Sequence, residues 1–103
     1  MIRHIVALRY KPEVSADRKA GMMSDLAALS DHLQGVLDFR SFSNVSPEEP
    51  LVRGFLDVFW FDFQDAAARD AYLVDEAHRT VGGQIGAACQ GGAEGVLVLD
   101  VAL

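Results

Sequence analysis

The stretch Arg53-Gly54-Phe55-Leu56-Asp57-Val58-Phe59-Trp60-Phe61-Asp62-Phe63 decides how this chain folds. Its side chains alternate with period two, as those of a β-strand do. Phe55, Phe59, Phe61 and Phe63 share one face, interrupted by Asp57, while Leu56, Val58 and Trp60 share the other. Both faces are therefore apolar. A strand with helices on one side and water on the other needs only one apolar face. The second face calls for a cover, because exposed apolar area costs about 25 cal/mol per Å². The simplest cover is a second copy of the chain, sheet against sheet about a two-fold axis.

Outward from this strand the elements follow in turn. Asp65 caps a short alanine-rich helix that ends near Leu73. Before the strand, Asn44 to Pro50 reads as a loop, and Leu37 to Val45 as a second strand with Leu37, Phe39 and Ser41 on one face. At the start, residues 2 to 11 alternate, with Ile2, His4, Val6, Leu8 and Tyr10 on one side and Pro12 closing the strand. Ser15 caps a long helix to about Gln34, whose stripe is Met22, Met23, Leu26, Leu29 and Leu33, with Gly35 as its C-cap. Gly21 inside it costs about 1 kcal/mol against alanine, which suggests a close packing contact. Gly91-Gly92 break a later helix, and residues 95 to 103 form a fourth strand.

The order is β-α-β-β-α-β. It predicts an α+β, ferredoxin-like domain over residues 1–103, a four-stranded antiparallel sheet with its helices on one face. With 103 residues and no apolar run of eighteen, the chain is expected to be a soluble protein. The opening Met1-Ile2-Arg3-His4 is too polar for a signal peptide, and the lone Cys89 suits a reducing cytoplasm. A net charge of −6 with scattered basic residues argues against a nucleic-acid footprint.

The chemistry centres on Tyr72-Leu73-Val74-Asp75-Glu76-Ala77-His78. Asp75 reads as an N-cap, so Tyr72 ends one helix and His78 opens the next. Val81, Ile85 and Cys89 continue on the face of His78, which turns the imidazole inward beside the phenol. An inward imidazole and phenol form a candidate acid–base pair; the alternative is a core histidine satisfied by one hydrogen bond. His32, near the end of the first long helix, reads as a solvated residue favoured by the helix dipole.

Several stretches resemble one family: His4-Ile5-Val6-Ala7-Leu8-Arg9-Tyr10-Lys11, Leu33-Gln34-Gly35-Val36, Asn44-Val45-Ser46, Gly54-Phe55 and Tyr72-Leu73 followed by His78. The chain is similar to the stress-responsive A/B barrel domain proteins of the dimeric α/β barrel superfamily. The resemblance implies a homodimer joined through the second sheet face, with Leu56, Val58 and Trp60 at the interface. It also implies a pocket between sheet and helices. By likeness to the family's plant polyketide cyclases, His4, Tyr72 and His78 would be catalytic, with Tyr72 orienting a carbonyl and His78 as general base. Val6, Leu8, Met22, Met23, Leu26, Phe59, Phe61 and Val81 would bind the substrate, a small hydrophobic or carbonyl compound. No cofactor and no metal are expected. The chain departs from the family pattern at Asp75-Glu76, where His-Pro is common, and at Leu26, where the cyclases carry a tyrosine. Rival readings are a metal site on His4, Asp75 and His78, a cofactor-free monooxygenase, and a non-enzymatic oligomeric stress protein.

Overall fold

Three side chains start the three long helices by occupying backbone N–H groups that no helical carbonyl can reach. Ser15 Oγ accepts from Arg18 N at 3.1 Å, Asp65 from Ala68 N at 2.9 Å and Asp75 from His78 N at 2.9 Å. The computed structural model describes residues 1–103. Its elements run β1 (Ile2–Leu8), α1 (Ala16–Ala28), β2 (Val36–Ser43), α2 (Glu49–Val52), β3 (Asp57–Phe63), α3 (Ala66–Val74), α4 (Glu76–Ala88) and β4 (Val96–Ala102). The four strands form one antiparallel sheet in the order β2-β3-β1-β4. This is the α+β, ferredoxin-like arrangement that the order of elements predicts.

Register decides which side chains meet. His4 lies opposite Phe61 on β3 and Asp100 on β4, and Val6 lies opposite Phe59 and Val98. His4, Val6, Leu8, Phe59, Phe61 and Phe63 are all buried on the helix side, with Met22, Leu26, Tyr72, Val81 and Ile85 packed over them.

The other side of the sheet is bare. Alternation turns Ile5, Ala7, Val58 and Trp60 to it, together with Leu97, Leu99 and Val101, which are 47%, 54% and 41% exposed. One end of this face is ionic. Arg3 Nε and Nη2 donate to the two Asp62 oxygens at 2.8 and 3.1 Å, and the guanidinium lies 4.9 Å over the Trp60 ring. No helix is long and apolar enough to cross a membrane.

Several boundaries differ from expectation, each for a local reason. The first helix ends at Ala28, and a 3₁₀ turn over Leu29–Asp31 follows. Gly35 (φ 81°) therefore turns the chain into β2 instead of capping that helix. A β-carbon on Gly21 would meet nothing within 4 Å, so no close packing explains that glycine. A bulge between Val36 and Asp38 sends Leu37 to solvent while Phe39 stays against the core. The third strand begins only at Asp57, because α2 and the left-handed pair Arg53 and Gly54 occupy the preceding residues. Leu56 therefore lies outside the sheet and is exposed.

Candidate active site

His4 is buried on β1, and its Nδ1 lies 2.6 Å from Asp100 Oδ1, on the strand beside it. The second Asp100 oxygen accepts from Arg69 Nη1 of α3 at 2.8 Å. Burial pushes the Asp100 carboxyl up, but the hydrogen bonds from His4 and Arg69 outweigh it and hold the pKa below the usual carboxylate value. An ionised Asp100 can only accept, so His4 Nδ1 carries the proton and a neutral ring keeps its lone pair on Nε2. That nitrogen makes no hydrogen bond within the chain.

Tyr72 lies in the last turn of α3 and is buried. Its ring stacks on His78 at 3.8 Å between centroids and meets His4 edge-on at 5.5 Å. Phe61 and Phe63 support it from below at 4.8 and 5.2 Å. Burial raises the phenol pKa, so Tyr72 remains a hydrogen-bond donor at any cellular pH.

His78 occupies the first turn of α4, where Asp75 fixes the backbone. Its Nδ1 is buried with no hydrogen-bond partner. Burial lowers its pKa; the Tyr72 carbonyl favours the charged ring, though it makes no well-formed hydrogen bond with Nδ1. His78 is thereby held neutral.

These three residues line one cavity of about 210 Å³, together with Val6, Leu26 and Phe59. Leu73, Gly82, Ile85, Val96 and Val98 complete it, and the exposed Leu73 and Val98 mark its mouth. Four expected substrate contacts lie elsewhere or face away. Leu8 and Met23 line a separate groove across α1, Met22 is core, and Val81 lies beside Leu29 and His32. Phe61 is fully buried beneath Tyr72 and reaches the site only through that ring. Sequence reasoning missed Asp100 and Arg69, along with Val96 and Val98. The alternation Val96, Val98, Asp100 was the available signal, but it points at His4 only once β4 is in register with β1.

His32 is more than a solvated residue. Its Nε2 lies 2.8 Å from Asp75 Oδ1, which ties the end of the α1 region to the α4 cap. The Asp75 oxygens are thus engaged by His32 and by the His78 backbone. The proposed metal set of His4, Asp75 and His78 does not gather, and no other group of three His, Cys, Asp or Glu side chains does.

The model of the Stress responsive A/B Barrel Domain family matches residues 2–102. The chain belongs to the stress-responsive A/B barrel family. A dimeric ferredoxin-like protein of unknown function from Jannaschia sp. CCS1 is 34% identical, with 99% of this chain and 98% of that one covered and a TM-score of 0.89. The hydroxynitrile lyase from Passiflora edulis is 18% identical, with 99% and 92% covered and a TM-score of 0.81. An antibiotic biosynthesis monooxygenase is 20% identical, with 100% and 98% covered and a TM-score of 0.73. The last two share the fold with this A/B barrel protein and no more than that. No curated protein matches the chain by sequence.

Proposed function

We propose that this A/B barrel protein is a cytoplasmic homodimer that binds a small carbonyl compound between sheet and helices. There it moves a proton on the substrate without a cofactor, as a cyclase or a lyase does. The observation that carries this reading is the 2.6 Å contact between His4 Nδ1 and Asp100. A histidine filling core space needs no carboxylate partner on the next strand. A histidine that must take a proton does, because the partner fixes the tautomer and stabilises the imidazolium.

In this mechanism His4 Nε2 takes a proton from the carbon alpha to the substrate carbonyl. The C–H electron pair becomes the enolate double bond, charge develops on the carbonyl oxygen, and the Tyr72 hydroxyl donates to it. Both imidazoles face the cavity and either has the chemistry of a general base. Burial of His78 disfavours the charge that it would acquire, whereas on His4 the Asp100 hydrogen bond at Nδ1 fixes the tautomer that leaves Nε2 free to accept. His78 serves by stacking on Tyr72 and holding that ring over the cavity. In a cyclisation the enolate carbon then attacks a second carbonyl carbon of the same substrate; the C=O π pair moves to that oxygen, which takes back the proton from His4 Nε2. The cavity equals roughly seven water volumes at about 30 Å³ each, which limits the substrate to a small ring or short chain.

A hydroxynitrile lyase shares this fold, which is agreement by analogy alone. The dimer would form through Val58 and Trp60 with Leu97, Leu99 and Val101, and Leu56 would sit at the edge of that interface. The lone buried thiol of Cys89 suits the cytoplasm.

The direct test is deuterium uptake. In D₂O, the protein should speed exchange of the alpha protons of small ketones such as acetophenone and cyclohexanone, as followed by proton NMR. The His4→Gln and Tyr72→Phe variants should lose this while remaining folded. Exchange no faster than in buffer for every ketone tried, or full activity in His4→Gln, would sink the proposal.

A further inference from the structure

Helix α4 contains Gly82, Gly83 and Gly86, although glycine is the least favourable residue in a helix interior after proline. Of these, Gly82 lines the His4 cavity. It stands one turn beyond His78, and residues four apart are neighbours on a helix surface. A β-carbon at position 82 would lie 3.8 Å from His78 Nε2, an ordinary contact, and that nitrogen is the one group outside the adjoining helix that it would meet within 4 Å. The backbone there does not have the positive φ that favours glycine. Neither conformation nor packing therefore demands a glycine. What the missing side chain leaves is room beside the second imidazole of the site.

The other apolar walls are less free to change. Val6, Leu26, Phe59 and Ile85 belong to the packed core, and larger groups at those positions would press on buried neighbours. A side chain at position 82 would instead extend along the cavity wall beside His78. A methyl-sized group fills about as much space as one water, ~30 Å³. In a cavity of about 210 Å³, alanine at position 82 would take roughly one-seventh of the volume and valine roughly three-sevenths.

We propose that Gly82 is the specificity-determining residue of the His4 cavity. Its lack of a side chain makes room for a ring-sized group next to the substrate carbonyl, so the site takes aryl and cyclic ketones in preference to acetone-sized ones. The ketone class rests on the proposed carbonyl chemistry, whereas the size limit needs binding alone.

Acetone and acetophenone are suitable probes, each titrated into the ¹⁵N-labelled protein and followed by amide shifts at Leu73 and Val98. The wild type should bind acetophenone more tightly. In Gly82→Val its affinity should fall about tenfold or more, as a misfitted carbon in an apolar pocket costs. The loss for acetone should be much smaller, so that the preference narrows or inverts. Gly82→Ala should show the same trend to a lesser degree. Gly83→Ala is the control, because Gly83 is exposed, has open space around it and lines no part of the cavity. Both alanine variants should melt roughly 4–8 °C higher through helix propensity, which separates a binding loss from a folding defect. An unchanged preference in Gly82→Val would overturn the proposal. So would no binding of acetophenone to the wild type, or an equal loss in Gly82→Ala and Gly83→Ala. Acetophenone that binds without faster alpha-proton exchange would sink the proton-transfer reading, and these affinities would still decide the size limit.

Discussion

Asp100 supports the site from behind, since it does not itself line the cavity. It links Arg69 on α3 to His4 on β1, and so settles which His4 nitrogen is free. Asp100→Asn can turn its N–H toward Nδ1 and reverse the tautomer. The exchange rate should then fall by roughly 10²–10⁴-fold with the fold intact. Arg69→Met, which removes the charge behind Asp100, should have a smaller effect in the same direction; equal rates in all three proteins would remove the relay from the mechanism. His78 makes a separate prediction about pH. Its folded pKa lies below the unfolded value, so the unfolded chain binds more protons as pH falls below about 6.5. Its contribution to stability is full above that pH and is lost as pH falls toward the folded pKa. Urea midpoints between pH 7 and 5 should fall less in His78→Gln than in the wild type. His4, Tyr72 and His78 were legible because a family pattern marks them, and the apolar stripe after His78 gives it an inward face. Asp100 was not, because it stands 96 residues from His4 and only strand register brings the two together.

At the scale of elements, what was legible is what the chain decides locally. Ser15, Asp65 and Asp75 cap helices wherever they sit, since a cap needs only the next three residues. The bulge beside Leu37 and the short helix α2 depend on the neighbouring strand and on left-handed turns, and alternation alone passed over both. Two glycines separate local from tertiary causes. Gly21 lies inside α1 with open space around it, so Gly21→Ala should stabilise the protein by about 1 kcal/mol through helix propensity. Gly95, by contrast, enters β4 where a β-carbon would stand 2.6 Å from the Gln90 carbonyl oxygen and 2.9 Å from the Cys89 β-carbon. Backbone cannot give way as a flexible side chain does. Gly95→Ala should cost roughly 1–3 kcal/mol, and equal thermal midpoints for the two variants would contradict this account.

The whole molecule exposes 6174 Å², against roughly 5,700 Å² expected of a monomer of 11.2 kDa. The surplus matches a sheet with one face left open. Ile5, Val58, Trp60, Leu97, Leu99 and Val101 alternate onto that face, and the Arg3–Asp62 pair closes one end of it with its charges already matched. A second copy can therefore cover the apolar part without stranding an ion. Light scattering at micromolar concentration should give twice 11.2 kDa or a multiple of it. Trp60→Glu should break the assembly, but Arg3 lies over that ring and would partly neutralise the new carboxylate. Leu99→Glu is the sharper variant, because position 99 has no basic neighbour in register and is half exposed in the single chain. Its cost falls on the dimer alone, where an unpaired charge taken out of water is penalised by several kcal/mol, enough to weaken association more than about a hundredfold. The variant should run as a folded monomer, or aggregate through the remaining apolar face. A wild-type protein that is a folded monomer at that concentration would leave the open face unexplained, and a Leu99→Glu dimer as tight as the wild type would move the interface elsewhere.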